Sequence, residues 1–253
     1  MSRLVLPLVF FVAILGAIVL SDKPLPRADL SISNGNDVTT LDLQRMSWMH
    51  DLRLARVVFE GLVANDVFDP DYAIIPAVAE RWEVSDDGRE YRFFLRKDAK
   101  WSNGEPVTAD DFLFSWRRAI LPDTAADYYT FFEYIDGVAE FFAWRTEALE
   151  AFAQRAVDMD ARERATQARD LWAETEARFA EMVDIEAVND HELTIRLRRP
   201  IPFFLDLCAF PTFYPVYPPL VSQYDRVDPV TGRVIAEGGW TRPPQIVSNG
   251  PYE

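Results

Sequence analysis

Six prolines fall between Pro200 and Pro219, and that density limits what the chain can build there more than any other feature does. Each proline lacks a backbone donor and fixes φ, so neither a continuous helix nor a central strand passes through the segment. The same stretch carries Phe203, Phe204, Phe210, Phe213, Tyr214 and Tyr217, which must then sit on irregular backbone. There they either line a cleft or plug the interior. Regular structure has to come from elsewhere. Directly before the prolines, Leu193-Thr194-Ile195-Arg196-Leu197 alternates with period two and is the cleanest strand pattern in the chain.

Leu30-Ser31-Ile32-Ser33 alternates in the same way and breaks at Asn34-Gly35-Asn36-Asp37, which predicts a short strand entering a turn. From Met49, Leu52, Ala55, Val58, Phe59 and Leu62 recur at helical spacing, with Gly61 as the expected stop. Trp82 to Val84, the turn at Asp86-Asp87-Gly88, and Tyr91 to Arg96 predict a β-hairpin. Arg92, Phe94 and Arg96 alternate with Tyr91, Phe93 and Leu95, so its sheet is expected to have one wet face. Lys100 to Pro106 reads as a tight turn built on Asn103-Gly104 and Pro106. Thr108 and Asp111 then make a capped helix start, and Phe112, Trp116, Ala119 and Ile120 share one face until Pro122.

The stretch 139–190 has a different texture, with 13 acids against six arginines and neither Gly nor Pro. Ala168, Leu171, Trp172, Phe179 and Met182 fall on one helical stripe, interrupted only by the hydroxyl of Thr175. The expectation is a surface helix packed on its own domain rather than a partner-binding helix.

A net charge of −15 repels phosphate backbones and anionic lipid, so nucleic acid is not an expected partner. Cys208 is the single cysteine and His50 and His191 the only histidines, which leaves no disulfide framework and no Cys/His zinc set. No phosphate loop, dinucleotide fingerprint, G-x-S-x-G elbow or H-E-x-x-H occurs, so no metal or cofactor is expected and binding is favoured over catalysis. At the amino terminus Leu4 to Leu20 is apolar and follows Arg3. It is longer than a usual signal core yet short of the ~20 residues that span a bilayer, so residues 1–28 are expected to be a signal peptide or membrane anchor plus spacer.

Several segments together resemble the extracellular solute-binding proteins of peptide ABC importers, the oligopeptide- and dipeptide-binding family. The most specific is Lys100-Trp101-Ser102-Asn103-Gly104-Glu105-Pro106-Val107-Thr108-Ala109-Asp110-Asp111-Phe112, continuing to Ser115-Trp116-Arg117-Arg118. Leu41-Asp42, Phe59-Glu60-Gly61-Leu62, Pro76 to Trp82, Asp190 to Leu197, Pro202-Phe203-Phe204 and Ile246 to Tyr252 follow in the family's order.

The resemblance implies an α/β fold, the periplasmic-binding-protein-like (class II) mixed-sheet lobe. Residues 29–253 would be an incomplete first lobe, 139–190 an added acidic helical insertion, and the second lobe missing. It further implies an extracytoplasmic, periplasmic receptor that captures oligopeptides and delivers them to an ABC permease, acting as a monomer without enzymatic activity. Carried over residue by residue, Ser47, Trp48 and Met49 would run along the ligand, and Tyr128 and Phe210 would border the cleft. An exported hydrolase and a membrane-anchored ligand sensor are the alternatives.

Overall fold

The computed structural model describes residues 33–252 together with Phe11 and Ile14. The expected signal or anchor at Leu4–Leu20 and the strand at Leu30–Ser33 lie outside the described residues, apart from Phe11, Ile14 and Ser33. The chain divides into two units, residues 1–35 and 36–253, and the second carries the sheets and the core.

In chain order, helix α1 (Met49–Val58) leads into a small ladder of β1 (Val63–Asn65) and β2 (Ile74–Pro76). The hairpin of β3 (Ala79–Val84) and β4 (Glu90–Leu95) precedes α2 (Ala109–Ile120) and a long helical pair, α3 (Val138–Ala156) and α4 (Ala161–Met182). A second hairpin, β5 (Ile185–Asn189) and β6 (Glu192–Arg196), is followed by the proline-rich stretch. That stretch contains only the short helices α5 (Phe204–Cys208) and α6 (Pro218–Val221) and a 3-10 turn at Pro211–Phe213. A last ribbon pairs β7 (Asp225–Val227) with β8 (Val234–Ala236).

The two hairpins join edge to edge in the order β3-β4-β6-β5. Tyr91 faces Ile195 and Phe93 faces Leu193 across the β4–β6 seam, and these four side chains are buried. On the other face Arg92 lies opposite Thr194, and the Arg81 guanidinium sits 3.4 Å from the centre of the Phe94 ring. The expected single wet face is therefore present. Every pairing among the described strands is antiparallel. Tight hairpin turns join β3 to β4 and β5 to β6, and a hairpin can connect only antiparallel neighbours.

Helix α2 carries the core. Its start is the one the sequence predicts: the Thr108 N–H donates to Asp111 Oδ2 at 2.9 Å, and the Trp101 indole donates to the same oxygen at 2.9 Å. Phe112, Trp116, Ala119 and Ile120 are fully buried, and the Trp116 indole N–H is satisfied by the Phe213 carbonyl at 2.7 Å. An indole removes on the order of 200 Å2 from water, which at ~25 cal/mol per Å2 amounts to several kcal/mol. The aromatics of the proline-rich segment divide by burial. Phe204, Phe213 and Tyr214 are buried in this core, whereas Phe203 is exposed and Phe210 half-buried.

Two expected boundaries move. Helix α1 ends at Val58, not near Gly61, because the Gly250 N–H caps the Val58 carbonyl at 2.9 Å and Asn249 brackets Glu60 through both its main-chain groups. A Cβ on Gly61 would lie 2.3 Å from the Tyr214 ring, so this glycine answers to packing rather than to helix termination. Likewise the stretch 139–190 is not helical to its end, since 185–189 form the edge strand β5.

The α3–α4 pair builds its own small core from Leu149, Phe152, Ala156, Ala168 and Leu171. Thr175, the hydroxyl that interrupts the stripe, is buried where its oxygen accepts from Arg145 Nη1 at 3.0 Å and its hydrogen goes to the Leu171 carbonyl at 2.6 Å.

Candidate functional site

The segment before α1 is fixed from beneath. Arg118, on the last turn of α2, holds Asp42 by two hydrogen bonds of 2.6 Å and donates to Gln44 Oε1 at 3.0 Å. Gln44 in turn donates to the Tyr214 carbonyl at 3.2 Å. A 3-10 turn at Leu43–Arg45 follows from these anchors, with Leu43 and Met46 buried. The chain then emerges: Trp48 is extended, with φ −92° and ψ 139°, and its carbonyl accepts from Asp51 and Leu52 to start α1. Trp48 is 61% exposed and Met49 65% exposed, with the Trp48 ring stacked on His50 at 6.2 Å.

Tyr128 comes from a different part of the chain. It enters a 3-10 turn at Tyr129–Tyr134, just after Ala125 adopts φ +51°, a left-handed conformation that costs a non-glycine residue about 1–2 kcal/mol. Its hydroxyl donates to the Ser47 carbonyl at 3.3 Å. The edge of the Phe210 ring meets the Tyr128 ring at 4.8 Å, and Phe131 stacks on it at 5.3 Å. Phe131 and Phe210 also touch each other at 5.7 Å.

Of the five residues singled out in the sequence, the structure brings Ser47 and Phe210 each into direct contact with Tyr128. Trp48 and Met49 extend from the same strip of backbone and stand in solvent. Phe131 completes the aromatic trio and was not among the five. Its only sequence signal is its place three residues after Tyr128, the repeat of a 3-10 turn.

The groups on offer are ring faces, a main-chain carbonyl and large exposed apolar side chains, whose chemistry suits burial and hydrogen bonding rather than bond-making. Burial raises the Cys208 thiol well above its ordinary pKa, with the nearby Asp206 carboxylate adding to the effect, so the one cysteine stays protonated and inert. Beside the site the Tyr129 phenol is also held high, first by burial and then by the Glu133 carboxylate.

Fold and sequence now define the class. The chain belongs to the bacterial extracellular solute-binding proteins, family 5, whose middle-region model matches residues 73–253. It is 30% identical over 222 residues to the periplasmic oligopeptide-binding protein OppA of Escherichia coli K12, covering 87% of this chain and 32% of that protein. It is 28% identical over 237 residues to the probable deoxycholate-binding periplasmic protein YgiS of the same organism, covering 92% of this chain and 35% of that one. Among solved structures, Listeria monocytogenes OppA bound to peptide superposes with a TM-score of 0.61 at 28% identity, over 85% of this chain and 33% of that one. The chain thus spans about a third of the length of the curated relatives it matches. Among the described residues no helix is long and apolar enough to cross a membrane.

Proposed function

We propose that this chain is part of the extracytoplasmic substrate-binding component of an ABC importer, that it captures oligopeptides, and that it passes them unaltered to a membrane permease. The observation that carries the reading is the Tyr128 hydroxyl on the Ser47 carbonyl, with Phe210 and Phe131 against the same ring. On this reading the strip Ser47–Met49 runs beside an extended ligand, and the aromatic trio forms the wall next to it. The opposing wall would belong to the part of the relatives' length that this chain does not span, and closing the two walls would be the capture step. Residues 139–190, short of the edge strand β5, would be an addition to the first lobe. The protein would work as a monomer in the periplasm, with residues 4–20 as its export signal or anchor, without a metal, cofactor or bond-making step. Two of the relatives' names support this, one being an oligopeptide-binding protein and the other an OppA solved with bound peptide.

A single wall buries only about half of a ligand, so the chain alone is expected to hold peptides with Kd on the order of 1 mM. Titrating isotope-labelled protein with a tripeptide mixture should move the amide signals of Ser47, Trp48, Met49, Tyr128 and Phe210 together, and the peptides should be recovered intact by mass spectrometry. Shifts confined to other regions, or cleaved peptide, would refute the proposal. The amino-terminal mass of the exported protein distinguishes signal from anchor.

A further inference from the structure

Away from the aromatic trio, a half-open cavity of about 180 Å3 lies among residues of α2, α4 and the β7–β8 ribbon. Phe114, Leu121 and Trp172 are among its apolar lining. The Arg117 guanidinium stands 5.8 Å from the Phe114 ring centre and 5.9 Å from that of Trp172.

Charge in this place is uneven. Each arginine on the cavity already has a carboxylate of its own: Arg117 meets Glu176 at 3.2 Å, Arg118 meets Asp42 at 2.6 Å, and Arg226 meets Glu237 at 2.6 Å. Asp225 borders the same space and has no such partner. Among the described residues it accepts no hydrogen bond, and its one ion-pair contact is Arg118 Nε at 3.7 Å, which itself finds no acceptor. Its side chain is 18% exposed, so it can be reached. Arg45, whose guanidinium reaches the Ala236 carbonyl of the same cavity at 3.5 Å, offsets the Asp225 charge from further off, so one carboxylate is left without a hydrogen bond in a cavity that two aromatic rings also line.

We propose that this cavity binds a small aromatic ammonium ion, its ring against Trp172 and Phe114 and its N–H groups on the Asp225 carboxylate. An engineered cavity of about 150 Å3 admits benzene, so this volume suits one ring with a short arm. The ammonium supplies the hydrogen bond to Asp225 that the arginines do not, and that bond is charge-assisted. A neutral alcohol of the same shape leaves the charge unmatched, and an aromatic acid meets a like charge. Nothing in this inference rests on peptide capture at Tyr128.

The test is calorimetric titration of the whole chain at neutral pH with benzylamine, benzyl alcohol and benzoate. Benzylamine should bind about tenfold more tightly than benzyl alcohol, and benzoate should not bind. Asp225→Asn should bring benzylamine down to the level of benzyl alcohol, and Trp172→Leu should weaken both. Equal binding of the amine and the alcohol to the unaltered protein, or no binding of any of the three, overturns the proposal. That comparison needs no variant, so it holds even if a substitution disturbs folding.

Discussion

Arg118 and Arg145 occupy matching situations in two regions of the molecule and are served differently. Each is a helical arginine in the interior, each grips an aspartate through two guanidinium nitrogens, and each ties a helix to a distant loop. Around Arg145 every donor group has a taker: Asp123 accepts from Nε and Nη2, the Gly232 carbonyl from Nη2, and Thr175 from Nη1. Around Arg118 one donor, Nε, has none, and a second acid, Asp225, stands nearby without a hydrogen bond. The first arrangement is a closed lock between the α3–α4 pair and the loops at Asp123 and Gly232. The second is open on one side, and that side is the cavity. A buried polar network is rigid where it is complete and leaves room for a ligand where it is not.

The largest effect should come from Arg118→Ala. It strands Asp42 and takes away the one cation in ion-pair range of Asp225, and uncompensated buried charge costs about 3–5 kcal/mol. Urea unfolding at pH 7 should show a loss near the top of that range. The loss should shrink toward pH 5, because burial already holds the Asp225 carboxyl above its ordinary pKa and it can take up a proton. Arg145→Ala strands only Asp123, which keeps the Val234 N–H at 2.7 Å, so its cost should sit near about 3 kcal/mol. If Arg145→Ala proved the more damaging of the two, the distinction between closed and open networks would fail. Thr175→Val sharpens the same comparison from within the lock. It removes the acceptor of Arg145 Nη1 while keeping the shape, and an orphaned buried donor costs about 1–3 kcal/mol. A thermal midpoint unchanged by that substitution would mean the hydroxyl is incidental.

What the sequence made legible was local. The Thr108 and Asp111 cap spans four residues, and the alternation of Tyr91, Phe93 and Leu95 reports a single wet face, so short windows contained both. Strand β5 stayed hidden because an edge strand is half solvated: Glu186, Val188 and Asn189 are exposed, and its polar composition reads as the end of the acidic stretch. The stop of α1 was misplaced for the opposite reason. It is set by Asn249 and Gly250, some 190 residues downstream, and a Cβ on Gly250 would come within 2.5 Å of the Val58 backbone. The Tyr128 contacts are equally non-local, since Ser47 and Phe210 lie 81 and 82 residues away in sequence. Family resemblance named those three positions, whereas residue patterns alone could not bring them together. Phe131 had no such pointer. The role of Thr175 was visible only as an anomaly, a hydroxyl on an apolar stripe, until Arg145 supplied its partner.

The smallest effect, and the most discriminating, should be that of Asp225→Asn. At neutral pH the ionised carboxylate is held in a largely buried place where it accepts no hydrogen bond among the described residues, and the neighbouring Arg118 only partly offsets that burial. Its raised pKa means that the folded protein takes up this proton more readily than the unfolded chain. The group's contribution to stability is therefore fully present below the ordinary Asp value and is lost as pH rises through the raised one. Asparagine carries no such charge, so the variant should match the wild type to within about 1 kcal/mol at pH 7 or exceed it. The stability difference between the two should grow in the variant's favour as pH climbs from about 4 toward neutrality. Urea midpoints across that interval measure it directly. Were Asp225→Asn instead to cost as much as Arg118→Ala, the 3.7 Å contact would be a true ion pair, Arg118 would have two full partners, and its network would be as closed as that of Arg145.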